Sequence, residues 1–164
     1  MLRKSADKET LLDDFLPEYE FRGIQSIVIK ASPQRIFRAI WEVTFEDMPL
    51  ARFLGELRYL LGRLVGKKKD KTKSSQPFLE LVLQSGNIQL AEDKDKEGVI
   101  GAIGKLHQVT DQEFVPLKDA EEFLRFDKPE YQKLAQSFRI SGGDEEIGHT
   151  IRFEHRTHAL SPLL

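Results

Sequence analysis

The sequence predicts an α+β fold with a strongly curved antiparallel sheet, and three observations carry that prediction. A strand-like stretch, Tyr19 to Ile29, runs directly into a helix-like one, Ile36 to Trp41. A second helical stripe follows it. From Pro77 to the end the apolar period is then mostly two rather than 3.6, with turn residues between the runs. A strand, two helices and a run of strands is the order of a sheet whose helices gather at one place rather than alternate with its strands.

Residues 1–17 are polar, with Leu11, Leu12, Phe15 and Leu16 near their end, and read as a tail with a weak helical turn that Pro17 closes. The single domain is expected over 18–164, a length that buries roughly 70% of the unfolded surface. Its first strand is rich in aromatic and β-branched residues (Tyr19, Phe21, Ile24, Ile27, Val28, Ile29), the composition of a pleated, partly buried strand. Ser32 suits an N-cap and Pro33 the first helical position, where a missing N–H costs nothing. Ile36, Phe37, Ile40 and Trp41 then recur on one helix face. Thr44 with Asp47 opens a second helix over about 46–64, striped by Phe53, Leu54, Leu57, Leu60, Leu61 and Leu64.

Residues 66–76 hold five lysines, one acid and no apolar side chain, and read as a basic mobile loop. Lys67, Lys68, Lys69, Lys71 and Lys73 also admit peripheral contact with anionic lipid, but the preceding helix lacks the basic face of a membrane helix, so solvated connection is the favoured reading. Leu79, Leu81 and Leu83 alternate with Glu80, Val82 and Gln84 as in a strand, Ser85-Gly86-Asn87 turns, and Ile88 and Leu90 continue the alternation. After a turn at 92–98, residues 99–109 form a long apolar strand. Its glycines, Gly101 and Gly104, together with Gly98 before it, imply bending or a close approach. A helical turn is expected at 120–124, and two strands at 131–140 and 149–159. On the last, Ile151, Phe153, His155 and Thr157 share one face, and Arg152, Glu154, Arg156 and His158 the other.

Composition excludes several functions. A net charge of −2 exerts no global pull on nucleic acid or anionic membrane. The absence of cysteine removes disulfides, thiolate nucleophiles and thiolate metal sites, and suits a reducing, cytoplasmic setting. No apolar run reaches the ~20 residues of a membrane span. A histidine metal site is not expected: His155 and His158 point to opposite faces, and His149 lies ~20 Å from His155 at strand rise. No glycine loop opens a helix to cradle phosphate, and no cofactor is expected.

The runs IVIKASPQRIFRAI, EEFLRFDKPEYQKLAQSFRI and HTIRFEHRTHAL resemble the START/birch-pollen-allergen (SRPBCC, helix-grip) superfamily, in particular an uncharacterised bacterial branch. Pro129, Tyr131, Ala135, Phe138, Thr150, Glu154 and Arg156 fall on that branch's pattern, whereas Glu130 and His155 depart from it. The resemblance covers about 19–160. It implies a helix-grip fold: a curved antiparallel sheet, two short helices after the first strand, and a cavity that holds a hydrophobic small molecule or lipid. The cavity-lining candidates are Phe53, Leu57, Leu61, Leu79, Leu81, Ile103, Phe138, Ile151 and Phe153, with Gln136, His155 and Thr157 as polar anchors. Against this stands the plain reading that they fill a core. A second reading is a cyclase- or hydratase-like enzyme using Glu80, Lys105, His107, Glu113 or His155, though no spacing singles one out. A third is an interaction module whose groove a partner fills. The superfamily's long C-terminal helix is missing, since the sequence stops at Ser161-Pro162-Leu163-Leu164. The groove is therefore expected to be covered by a second subunit in a homodimer, by a helix lost by truncation or, ranked below these for its Asp13 and Asp14, by the segment around Leu11–Leu16.

Overall fold

The computed structural model describes residues 3–4, 10–47, 76–105 and 113–160. The chain is an α+β protein built on a five-stranded antiparallel sheet. In order, the elements are β1 (Arg3–Lys4), α1 (Leu12–Phe15), β2 (Glu18–Tyr19), β3 (Phe21–Ile29) and α2 (Pro33–Glu42). There follow α3 (Phe78–Gln84), β4 (Ile88–Asp93), β5 (Glu97–Gly104), α4 (Ala120–Arg125), β6 (Gln132–Ser141) and β7 (His149–Ala159). The sheet order is β3-β7-β6-β5-β4, so the first long strand lies beside the last. β1 and β2 form a separate two-stranded ribbon.

Because side chains alternate along each strand, the registers sort the sheet into two faces. Gln136 opposes His155, Phe138 opposes Phe153 and Ile140 opposes Ile151, which places these residues on one face, here the aromatic face. Ala135 opposes Arg156 and Ser137 opposes Glu154, which defines the other, the charged face. β5 is buried along its whole length, so both its faces are covered. Two of its glycines make room for neighbours. Phe138 lies directly over Gly98, and Leu90 and Phe123 converge on Gly101, where an added Cβ would come 2.9 Å from the Phe123 ring. The close approach expected from these glycines is thus made by side chains of the chain's own core.

Each face carries one apolar cluster. On the aromatic face Ile36 and Phe37 of α2 and Leu79 of α3 pack against Phe138 and Ile140. On the charged face Leu12 and Leu16 join Leu90, Val99, Ile103, Phe123 and Ala135. The N-terminal segment therefore does cover sheet, but on the face opposite the expected groove. Leu12 and Phe123 are completely buried there.

Several local expectations change. Ser32 occupies the extended cap position before Pro33, but its hydroxyl makes no capping hydrogen bond. Thr44 donates to Asp47 Oδ2 from both its amide (2.9 Å) and its hydroxyl (2.7 Å), and opens a short 3₁₀ turn, Phe45–Asp47. The rest of the expected second helix lies outside the described residues, as does the lysine loop through Ser75. Phe78 to Gln84, read as a strand from its alternation, is a helix. Leu, Glu and Gln are strong helix formers and Val82 is its only β-branched residue, so intrinsic preference outweighs the period-two pattern. Glu80 accepts from Gln84 one turn on (3.1 Å), while Ser85 and Asn87 donate side-chain hydrogen bonds to Val82 O and end the helix. β3, expected to be half-buried, is mostly exposed.

Candidate functional site

Two constellations emerge from this frame, one apolar and one ionic. The apolar one is the part of the aromatic face running from β6 across β7 to β3. Gln136, Phe138, Ile151, Phe153, His155 and Thr157, all proposed from sequence as cavity lining, come together on it through the β6–β7 register. Leu79 approaches from α3 and joins the same cluster as Phe138. Leu81 is half-buried on α3 and outside that cluster. Ile103 lies on the charged face, fully buried with Val99 and Ala135, because the parity of β5 turns it away from Phe138. Phe53, Leu57 and Leu61 lie outside the described residues, and so does His107.

Within this strip the packing is graded. Phe138 is only 7% exposed and is held by Phe37 (ring centroids 5.6 Å) and edge-on by Trp41 (6.2 Å). Phe153, His155 and Thr157 are half-buried. His155 lies between Phe21 (5.4 Å) and Phe153 (6.0 Å), with its ring filling the space over Gly23. A side chain on Gly23 would collide with the imidazole, so a larger residue there would have to displace the His155 ring. Among the described residues, no side chain hydrogen-bonds to His155 or Gln136. Phe21 and Gly23 were not foreseen as part of this surface. The signal was present in the alternation of FRGIQSIVI, which puts Phe21, Gly23, Gln25 and Ile27 on one face.

The remaining polar candidates are dispersed. Glu80 is exposed on α3. Lys105 pairs with Glu113 at 3.5 Å near the surface. His149 Nδ1 lies 2.9 Å from Ala31 O, and His158 Nδ1 lies 3.2 Å from Glu20. Among the described residues no group of three or more His, Asp or Glu is placed to hold a metal ion, and no helix is long and apolar enough to cross a membrane.

The ionic constellation occupies the charged face. Glu154 is 1% exposed and gathers three arginines. Its Oε1 accepts from Arg22 Nε and Arg156 Nε, both at 2.7 Å, and its Oε2 from Arg22 Nη2 and Arg152 Nη2, both at 3.0 Å. Arg156, equally buried, also donates from Nη1 to Asp13 Oδ1 (2.7 Å) and Leu16 O (3.0 Å), and its guanidinium stacks over Tyr19. Burial by itself would raise the Glu154 carboxyl, but the hydrogen bonds and charges of Arg22 and Arg156 outweigh it and hold the group below the usual carboxylate range. The network ties the N-terminal segment to the last strand and accounts for Asp13 in LLDDF. The sequence reading assigned Arg152, Glu154, Arg156 and His158 to one face without seeing that it would be buried. Glutamate with arginine two residues to either side is the pattern that marks such a lattice, since i and i±2 share a face.

Glu97 stands apart from that lattice. It is 3% exposed, and among the described residues its Oε1 has no hydrogen-bond partner. Burial pushes its carboxyl up, against the opposing effects of the Leu11 amide, Arg139 and Lys96. A raised folded-state value means that Glu97 favours folding when protonated, and that this contribution is lost as pH rises from the ordinary carboxylate range through the folded value. Glu97→Gln is accordingly expected to stabilise the chain at pH 7 by about 1 kcal/mol, and less at pH 4, in urea denaturation.

The chain matches no protein-family model, no curated protein and no solved structure.

Proposed function

We propose that the chain binds a hydrophobic small molecule or lipid against the aromatic face of its sheet, in the manner of the helix-grip superfamily it resembles. The observation that carries this reading is the row Phe153–His155–Gln136. A cross-strand His–Gln pair sits next to half-buried aromatics, and neither polar side chain is satisfied by the described residues. Both side chains are half-buried rather than buried, so their polar atoms meet water and can exchange it for the polar end of a ligand. An apolar strip with two open hydrogen-bonding groups is what a site for an amphipathic molecule requires: area for the chain, anchors for a carboxyl or hydroxyl end. The superfamily resemblance adds weight, through the run IVIKASPQRIFRAI, which joins the end of β3 to α2, the helix packed on this same face.

The test is native mass spectrometry of freshly purified protein with organic extraction, joined to thermal melts across fatty acids, sterols and polyketides. A bound species is expected, with a raised Tm for the matching class. Phe153→Ala should weaken that binding at least tenfold, and His155→Ala should weaken it for ligands with a polar end. The absence of any bound species together with unmoved melts across the panel refutes the proposal. Turnover abolished by His155→Ala, with binding retained, would instead favour the enzyme reading.

A further inference from the structure

We propose that β3 pairs with β3 of a second copy, antiparallel about Gln25, so that two sheets join edge to edge into one ten-stranded sheet. The two edges of the sheet differ in kind. β4 is short, carries Glu92 and Asp93, and has a register irregularity between Gln89 and Ala91, the devices that blunt an edge. β3 has nine residues, no lysine, no proline and no irregularity in its register with β7. Its one charged side chain, Arg22, is bent back onto Glu154. Five of the seven large apolar side chains that stand exposed among the described residues belong to it, including Phe21 (59%), Ile27 (60%) and Val28 (58%). They occupy both faces, as a strand with one open side would leave them.

The hydrogen-bond parity fixes how a second copy fits. The Leu160 amide donates to Tyr131 O, so the even residues of β7 bond to β6 and the odd ones to β3. The odd residues of β3 oppose the odd residues of β7 and bond to them, so Arg22, Ile24, Ser26 and Val28 direct their amides and carbonyls outward. Pairing two such edges about Gln25 brings Arg22 opposite the partner's Val28 and Ile24 opposite the partner's Ser26, all of them outward-bonding positions. The same register sets Phe21 against the partner's Ile29 and Gly23 against the partner's Ile27, joining apolar surface on the aromatic face. It also sets Glu20 against the partner's Lys30 at both ends, opposite charges where a shift of register by one pair would put Arg22 opposite the partner's Lys30. Apolar strips on two faces plus one ladder make a modest interface, for which a Kd of about 10 µM is expected.

Sedimentation velocity of the full chain from about 1 to 200 µM should show the mass doubling across that range. Because the chain has no cysteine, single replacements report register cleanly. In the proposed pairing Gln25 faces its own copy in a non-hydrogen-bonded pair, Cα atoms ~4.5 Å apart, within disulfide reach. Gln25→Cys should cross-link quantitatively with copper phenanthroline, and Ser26→Cys should not. Ser26→Pro removes an outward amide only and should give a monomer with the wild-type circular dichroism spectrum; if that variant fails to fold, the cross-linking pair decides. A wild-type chain that stays monomeric at 200 µM overturns the proposal, and so does a dimer that Gln25→Cys cannot cross-link. Ligand binding on the aromatic face would be untouched by either result.

Discussion

Glu154→Ala is expected to destabilise the chain by about 3–5 kcal/mol, the usual consequence of removing one partner of a buried ion lattice. The reason lies in what stays behind. Arg22 and Arg152 are about a third exposed (31% and 34%) and can turn to water, but the Arg156 side chain is 2% exposed and cannot. It would keep only Asp13, Leu16 O and the face of Tyr19. Arg22→Ala removes a partly solvated partner and should cost far less, on the order of 1 kcal/mol. The two variants therefore rank the lattice from inside out in urea melts. Acid acts in the same direction as Glu154→Ala. A carboxyl held below its ordinary range stabilises the fold above that range, and the contribution disappears as pH falls through the folded value. Glu97 has the opposite sign and acts above the ordinary carboxylate range, so the two contributions fall in separate pH windows. In Glu154→Ala the limb below the ordinary range should flatten, and in Glu97→Gln the loss of stability as pH rises above that range should disappear.

Phe138→Ala is expected to cost about 3–5 kcal/mol, as for a packed aromatic core residue. Phe37 and Trp41 grip its ring from above and Gly98 lies beneath it, so truncation leaves a void that no neighbour can fill without moving α2. Phe153, its cross-strand partner, is half-buried, and its truncation should cost less than half as much. The pair thus separates core from ligand surface. Phe138→Ala should lower the midpoint steeply, whereas Phe153→Ala should keep most of the stability and lose ligand. Equal costs for the two would mean that Phe153 is core as well.

The long strands were legible because their signals are local and repeated. The last strand runs over His149–Ala159 as its alternation predicts, and the two-face division of Ile151, Phe153 and His155 against Arg152, Glu154 and Arg156 holds in the β6–β7 register. Pro33 likewise marks the start of α2. The misreadings share a cause: each needed knowledge of what packs against the element. Leu79, Leu81 and Leu83 alternate like a strand, yet only the cluster around Phe37 and Phe138 decides that Leu79 turns inward from a helix. Ile103 is apolar on either reading, and only its pairing with Lys133 assigns it to the charged face. The burial of Glu154 and Arg156 depends on Asp13, more than 140 residues away in sequence, and no pattern along the last strand contains that partner. The exposure of β3 follows from its place at the edge of the sheet, which is a property of topology.

The chain's single tryptophan offers the most direct test of the proposed site. Trp41 packs edge-on against Phe138, on the face where the ligand is proposed to lie. Titration with a brominated fatty acid should quench Trp41 fluorescence saturably, and Phe153→Ala should shift the midpoint at least tenfold while leaving the unliganded spectrum unchanged. Quenching that never saturates, or that is the same in Phe153→Ala, would contradict a ligand site on the aromatic face.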